Sequence, residues 1–219
     1  MKYRAKFTKG DNVKFVGHLD LLRSIQRTIN RAGIFIKYSW GFNPHQVFSI
    51  AQPLSVAQTS LGEYMDFELM EDISEDEVKQ KLNAVAPRGI EILKVRRLNE
   101  SEKKVAALVE YGEYKVILDK DIRDEQIKNF MLQDKIEVDK ETKSGTKRVD
   151  IKGDIVNLKA QGNVLHTTIS TGSMQNLKIE LLVETLYKYV GFEYDEYKID
   201  VERQDLYYMH EGKTLKKLI

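Results

Sequence analysis

Residues 3–8, Tyr-Arg-Ala-Lys-Phe-Thr, alternate apolar and polar positions with a period of two, the mark of a half-buried strand. A polar turn follows, and the period changes. Leu19, Leu22, Ile25 and Ile29 recur at helical spacing over 18–32, and Gly33 is placed to end that helix. Residues 34–39 are β-branched and aromatic and read as an extra short strand or bent segment. Residues 47–54 form a further extended run. Over 63–69 the alternation is strict, with Tyr64, Asp66 and Glu68 on one face and Met65, Phe67 and Leu69 on the other. Ser74 followed by Glu77 signals the capped start of a second helix, which ends before Pro87. Residues 90–98 close the set as a strand.

The second half repeats the style of pattern without repeating residues. It predicts a strand at 113–119, a helix over 122–132 opened by Asp121, and a hairpin of 135–140 with 146–151 around Lys143-Ser144-Gly145. A strand at 163–170, a strongly amphipathic helix over 176–190 stopped by Gly191, and a last strand at 197–208 complete it. The predicted fold class is α+β: two ferredoxin-like βαββαβ units in tandem, antiparallel sheets with helices packed on one face. The boundaries are 1–98 for the first unit, 99–110 for a charged junction and 111–219 for the second unit with a C-terminal tail.

Composition narrows the chemistry. The 219 residues include no cysteine, which excludes disulfides, thiolate zinc sites and cysteine-ligated iron–sulfur clusters. No apolar run approaches the roughly 20 residues of a membrane span, so the expected location is cytoplasmic, with no membrane partner. Net charge is +1, but residues 1–50 hold nine Lys or Arg against two acids, a net +7, and residues 51–100 hold ten acids against six bases, a net −4. That asymmetry points to an anionic partner, nucleic acid first, unless folding returns the acids to the bases.

The candidate site residues cluster in the basic part. Arg23, Arg27 and Arg31 recur every fourth residue and line one stripe of the first helix, a spacing suited to tracking phosphates. The plainer reading is a solvated face with Asp20 paired to Arg23. Lys37 and the stretch 38–46, Tyr-Ser-Trp-Gly-Phe-Asn-Pro-His-Gln, come next. Gly41, Asn43 and Pro44 set a turn, while Trp40, Phe42 and His45 offer planar rings of the kind on which unpaired bases stack. For each ring taken singly, packing between helix and sheet is the ordinary role. His18 and His45 form an acid–base pair if the fold brings them together; no metal-ligand spacing is present, and neither phosphate-binding glycine loops nor a nucleophile elbow occur. His166 reads as structural, and Lys143 to Arg148 as a solvated basic hairpin tip.

The first helix with its flanks (residues 6–34), the segment 38–69 with Gly-Phe-Asn-Pro-His at its centre, Lys147 to Ile151 and Arg203 to Tyr208 together resemble the radical-SAM-linked protein family, a bacterial domain of unknown function. Where that family usually has proline after the histidine, this chain has Gln46, which predicts a less rigid loop. The resemblance implies a partner, a radical SAM protein that carries the cluster, and it supplies no catalytic residues. At fold level the chain is also similar to RNA-processing and pseudouridine-forming enzymes, but the Gly-Arg-Thr-Asp motif of the latter and the glycine-rich C-terminal loop of CRISPR repeat endonucleases are absent. Three functions follow: a non-catalytic accessory protein, without a cofactor of its own, that presents RNA to a radical SAM enzyme; an RNA-processing or RNA-modifying enzyme using His18 and His45; and a structural interaction module.

Overall fold

The alternation read at 3–8 is the backbone of the architecture. In β1 (Lys2–Lys9) the side chains of Tyr3, Ala5 and Phe7 are wholly buried against the helices, and Arg4 and Lys6 point to the other face. The computed structural model describes residues 1–142, 145–212 and 214–219. After β1 come α1 (His18–Arg31), β2 (Phe48–Ile50), β3 (Thr59–Glu68), α2 (Glu75–Val85) and β4 (Ile92–Leu98). A short α3 (Val105–Leu108) leads to β5 (Tyr111–Ile117), α4 (Asp124–Leu132) and the hairpin of β6 (Glu137–Thr142) with β7 (Gly145–Asp150). The chain ends with β8 (Ile155–Gln161), β9 (Val164–Ser170), α5 (Ile179–Val190), β10 (Asp200–His210) and β11 (Thr214–Lys217). The result is a mixed α+β fold with five helices around a large, mostly antiparallel sheet among the described residues.

The sheet runs β4-β1-β3-β10-β5-β9-β8, with β2 added to β3 and β11 to β10. It is continuous across both halves of the chain. The joint is the single parallel pairing, Glu202 and Arg203 of β10 beside Thr59 and Ser60 of β3. Gly62 makes that approach possible: a Cβ there would lie 2.6 Å from the carbonyl oxygen of Gln204 and 2.7 Å from Cα of Asp205. One apolar cluster packs α1 and α2 on β1, β3 and β4, and a second packs α4 and α5 on β5, β8 and β9. A third, smaller cluster (Ala51, Tyr64, Val105, Val109, Leu206 and Leu218) covers the opposite face of the sheet at the joint.

That opposite face also holds buried charge. The Arg4 guanidinium donates to both carboxylate oxygens of Asp66 at 2.8 and 3.1 Å. Asp205 receives Lys6 at 2.8 Å, Lys217 at 2.9 Å and the Tyr64 hydroxyl at 2.6 Å. Burial alone would raise the Asp205 carboxyl, but the hydrogen bonds from Lys6, Tyr64 and Lys217 outweigh it and hold the group below the usual aspartate range. A carboxyl depressed on folding adds stability that is complete above its unfolded value and is lost as pH falls through its folded value. Stability measured by urea unfolding is therefore expected to drop between about pH 5 and pH 2. Asp205→Asn is expected to be less stable at neutral pH and to show a shallower acid limb; an unchanged limb would remove Asp205 from the acid response.

Several expectations need correction. Leu19 is 65 % exposed; the core side of α1 is Leu21, Ile25, Thr28 and Ile29, because the helix is rotated so that Leu21 rather than Leu19 meets the sheet. The fourth helix is capped at Arg123, not Asp121: the Gln126 side chain accepts from the Arg123 N–H at 2.9 Å. The stretch 99–110 is not only a charged connection, since it contains α3, with Val105 wholly buried. Residues 155–161 form β8, which the pattern hides because a bulge between Ile155 and Asn157 breaks the period of two. The last strand is followed by β11 where a tail was expected. Residues 34–39 hold only isolated bridges, Ile36 to Leu69 and Tyr38 to Gln46, as a bent segment. The hairpin of 135–140 with 146–151 is present as β6 and β7; Lys143 and Ser144 of its basic tip lie outside the described residues.

Candidate functional site

Residues 37–47 fold back on themselves beside β3. The Lys37 N–H donates to Glu68 O at 2.8 Å, the Glu68 N–H to Val47 O at 3.1 Å, and the Val47 N–H to Lys37 O at 2.8 Å. One more rung, Ser39 N–H to His45 O at 2.8 Å, closes the base of a hairpin whose tip is 40–44. Gly41 has φ +125°, in the region that side-chain-bearing residues resist, so the tip needs glycine there.

The tip does not pack. Trp40 is 96 % exposed and Phe42 111 %, so both rings stand in solvent, against the ordinary expectation of core packing. The physical reason is that Ile34, Ile36 and Ile50 already fill the space between α1 and the sheet, and the backbone ladder ends at Ser39 and His45. Asn43 and Pro44 are exposed beside the rings. Fully exposed large aromatic rings forgo roughly 1.5–3 kcal/mol of burial each.

Gln46 anchors this hairpin rather than loosening it. Its side chain is 7 % exposed and donates to Asn30 Oδ1 of α1 at 2.9 Å. Ser39, which the sequence did not single out, holds His45: its hydroxyl accepts from the His45 backbone N–H at 3.1 Å and lies 2.9 Å from Nδ1. The hydroxyl thus meets both the backbone N–H and Nδ1 of His45, and Nε2 is left without a partner among the described residues. His18 sits elsewhere. It is the first residue of α1, whereas the hairpin is tied to Asn30 near the other end, about 18 Å along the helix at 1.5 Å per residue. The two imidazoles are not brought together as an acid–base pair. His166 is exposed on β9.

The basic segment is largely matched from within. Arg4 meets Asp66, Lys6 meets Asp205, Lys14 lies 3.9 Å from both Asp11 and Asp200, and Lys37 meets Glu68 at 2.9 Å. Folding thus returns acids from the rest of the chain to the first fifty residues, and the net +7 is not a free electrostatic surface. What stays without a matching acid includes Lys2, which reaches only the carbonyl of Glu100 at 3.3 Å, and most of the α1 stripe. Arg23 is paired with Asp20 at 3.1 Å, Arg31 donates to Val85 O at 3.0 Å and keeps its charge uncompensated, and Arg27 has no partner among the described residues.

Behind the hairpin base lies an open cleft of about 320 Å³ on the second face of the sheet. Ser39, His45 and Gln46 form one wall, Phe48 and Leu98 supply apolar surface, and Lys2 and Lys104 stand at the side of β1 and α3. His18 does not line it. Lys2, Lys104, Ser39 and Gln46 carried no sequence signal as site residues, because only the fold places positions 2, 39–46 and 104 together.

No match was found among curated proteins. Among solved structures, the chain is similar to the first two RRM domains of the yeast poly(U) binding protein Pub1, at 11 % identity over 93 % of this chain and 98 % of that one, with a TM-score of 0.21. Among the described residues no helix is long and apolar enough to cross a membrane. The model of a family described as uncharacterised protein conserved in bacteria (DUF2344) matches residues 2–179, and this chain belongs to that family.

Proposed function

We propose that the protein is a non-catalytic accessory protein that holds single-stranded RNA with the tip of the 37–47 hairpin and works beside a radical SAM enzyme. The observation that carries the RNA part is the exposure of Trp40 and Phe42 on a hairpin whose base is pinned at Lys37, Ser39, Gln46 and Val47. Two free ring faces on a fixed mount are a stacking platform for unpaired bases. Arg27 and Arg31 on the adjoining helix, with Asn43 at the tip and Arg23 and Lys37 nearby, supply the cations and polar groups for the backbone of the strand. The radical SAM part rests on the resemblance carried by Gly41 to His45, and a chain without cysteine leaves the cluster to its partner. Phe35 and Met70, 64 % and 69 % exposed and joined by the Met70 N–H to Phe35 O bond, are the proposed seat for that partner.

The architecture supports a division of labour. The strand orders β4-β1-β3-β2 and β10-β5-β9-β8 are each the order of a ferredoxin-like unit, so we read residues 1–98 and 111–219 as two such units in tandem, fused through β3 and β10. The hairpin belongs to the first. The separation of His18 from His45 gives no support to an acid–base enzyme built on them.

The test is direct. Purified full-length protein is expected to retain a short oligouridine at low salt, with log K falling linearly against log salt, and to co-purify with the radical SAM protein when the two are co-expressed. Absence of retention at low salt, with and without the partner, would overturn the RNA part. Failure to co-purify would overturn the docking part.

A further inference from the structure

The cleft behind the hairpin carries more charge than its walls need. Its three carboxylates are already engaged. Asp66 is held by Arg4 and by the Val105 N–H, Glu68 by Lys37, and Glu102 by Arg96 at 2.6 Å and by the Asn99 N–H at 3.0 Å. The donors are not matched in the same way. Lys104 has no partner among the described residues, and Lys2 reaches only the backbone carbonyl of Glu100, at 3.3 Å, which leaves its charge uncompensated. His45 lines the cleft with Nδ1 taken by Ser39 and Nε2 without a partner among the described residues. Once each acid is set against its own arginine or lysine, the cleft keeps the charge of two ammonium groups and one further imidazole nitrogen. Lys2, His45 and Lys104 all line the same cleft as Phe48 and Leu98.

We propose that this cleft binds the phosphate of a nucleotide, with Lys2, Lys104 and His45 Nε2 as its donors and the base or sugar against Phe48 and Leu98. The volume of about 320 Å³ is at the small end of ligand pockets, which suits one nucleotide and not a longer segment. Charge-assisted hydrogen bonds from ammonium groups are the strong kind for a phosphate oxygen. The cleft opens at the hairpin base, so one strand can place bases on Trp40 and Phe42 and its terminal phosphate here. The strand as the source of the phosphate rests on the RNA reading above; a free mononucleotide does not.

Full-length protein is titrated with uridine monophosphate, with inorganic phosphate, and with oligouridine carrying or lacking a 5′-phosphate. The same titrations are run on Lys104→Glu, on Lys2→Glu and on the Trp40→Ala/Phe42→Ala double variant. Lys104 and Lys2 are outside every apolar cluster, so their reversal leaves the core as it is, which far-UV circular dichroism checks. If the free nucleotide is the ligand, uridine monophosphate binds and each charge reversal weakens it about ten-fold or more, while the ring variant binds it as the parent does. If the strand end is the ligand, the 5′-phosphate tightens oligouridine binding and that gain disappears in Lys104→Glu. Should both reversals leave every titration unchanged, the cleft proposal is overturned, whatever the ring variant does. Loss of oligouridine binding in the ring variant alone would keep the hairpin reading and reject the cleft; loss of mononucleotide binding in the reversals alone would do the opposite.

Discussion

Replacing Trp40 and Phe42 together by alanine is expected to weaken binding of single-stranded RNA by roughly thirty-fold or more while leaving the unfolding midpoint where it is. Base–aromatic stacking is worth about 1–3 kcal/mol for each base, so two rings contribute about 2–6 kcal/mol if they act independently. The stability side follows from exposure: neither ring touches the core, so truncation opens no cavity and exposes nothing new. The measurement pairs a fluorescence-anisotropy titration with urea unfolding. Equal affinities for parent and double variant would show that the strand, if bound, is bound elsewhere. A large fall in stability would show that the rings are structural after all.

Glu63→Ala is expected to cost about 3–5 kcal/mol, because it removes one partner of a fully buried ion pair and strands the other. Glu63 and Arg203 are each 1 % exposed, and the guanidinium meets the carboxylate three times, Nε to Oε1 at 2.9 Å and Nη2 to Oε1 at 2.5 Å and to Oε2 at 2.6 Å. Burial works against the Arg203 charge; the carboxylate of Glu63 overcomes it and raises the affinity of the guanidinium for its proton. With Glu63 gone, a permanent cation sits in the joint with the carbonyl of Gln52, at 2.8 Å, and the Tyr114 hydroxyl as its remaining partners, neither of which carries a compensating charge. Against a total stability of about 5–15 kcal/mol, a loss of that size is a fifth or more. The double replacement Glu63→Leu/Arg203→Met removes both charges and is expected to recover most of it. Urea midpoints of the three proteins decide the matter. A single variant within about 1 kcal/mol of the parent would mean that water reaches Arg203.

The apolar pattern was enough for most elements, since each strand and helix of the first half buries one face and shows its period. It failed where both faces are covered. Arg4, Lys6, Tyr64 and Asp66 alternate with apolar residues and read as a solvent face, yet Arg4 and Tyr64 are almost wholly buried by pairing across strands and by the C-terminal segment. Sequence position cannot show that Asp205 lies beside Lys6, or Arg203 beside Glu63, because those contacts bridge 199 and 140 residues of chain. The hairpin was partly legible. Gly41, Asn43 and Pro44 announce a turn, but whether Trp40 and Phe42 face in or out depends on Ile34, Ile36 and Ile50 filling the core first. The charge excess of the first fifty residues was real in composition and mostly absent from the surface, for the same long-range reason.

The parallel joint has a consequence for the order in which the chain is made. Glu63 waits for Arg203, and the free side of β3 around Thr59 and Ser60 waits for β10. At a ribosome speed of about 5–20 residues per second, roughly 7–30 s separate the emergence of the two strands. For that interval the nascent first half carries a bare strand edge and a carboxylate destined for burial. Whatever shields them in the cell acts on a half-made protein, before there is a finished one to protect.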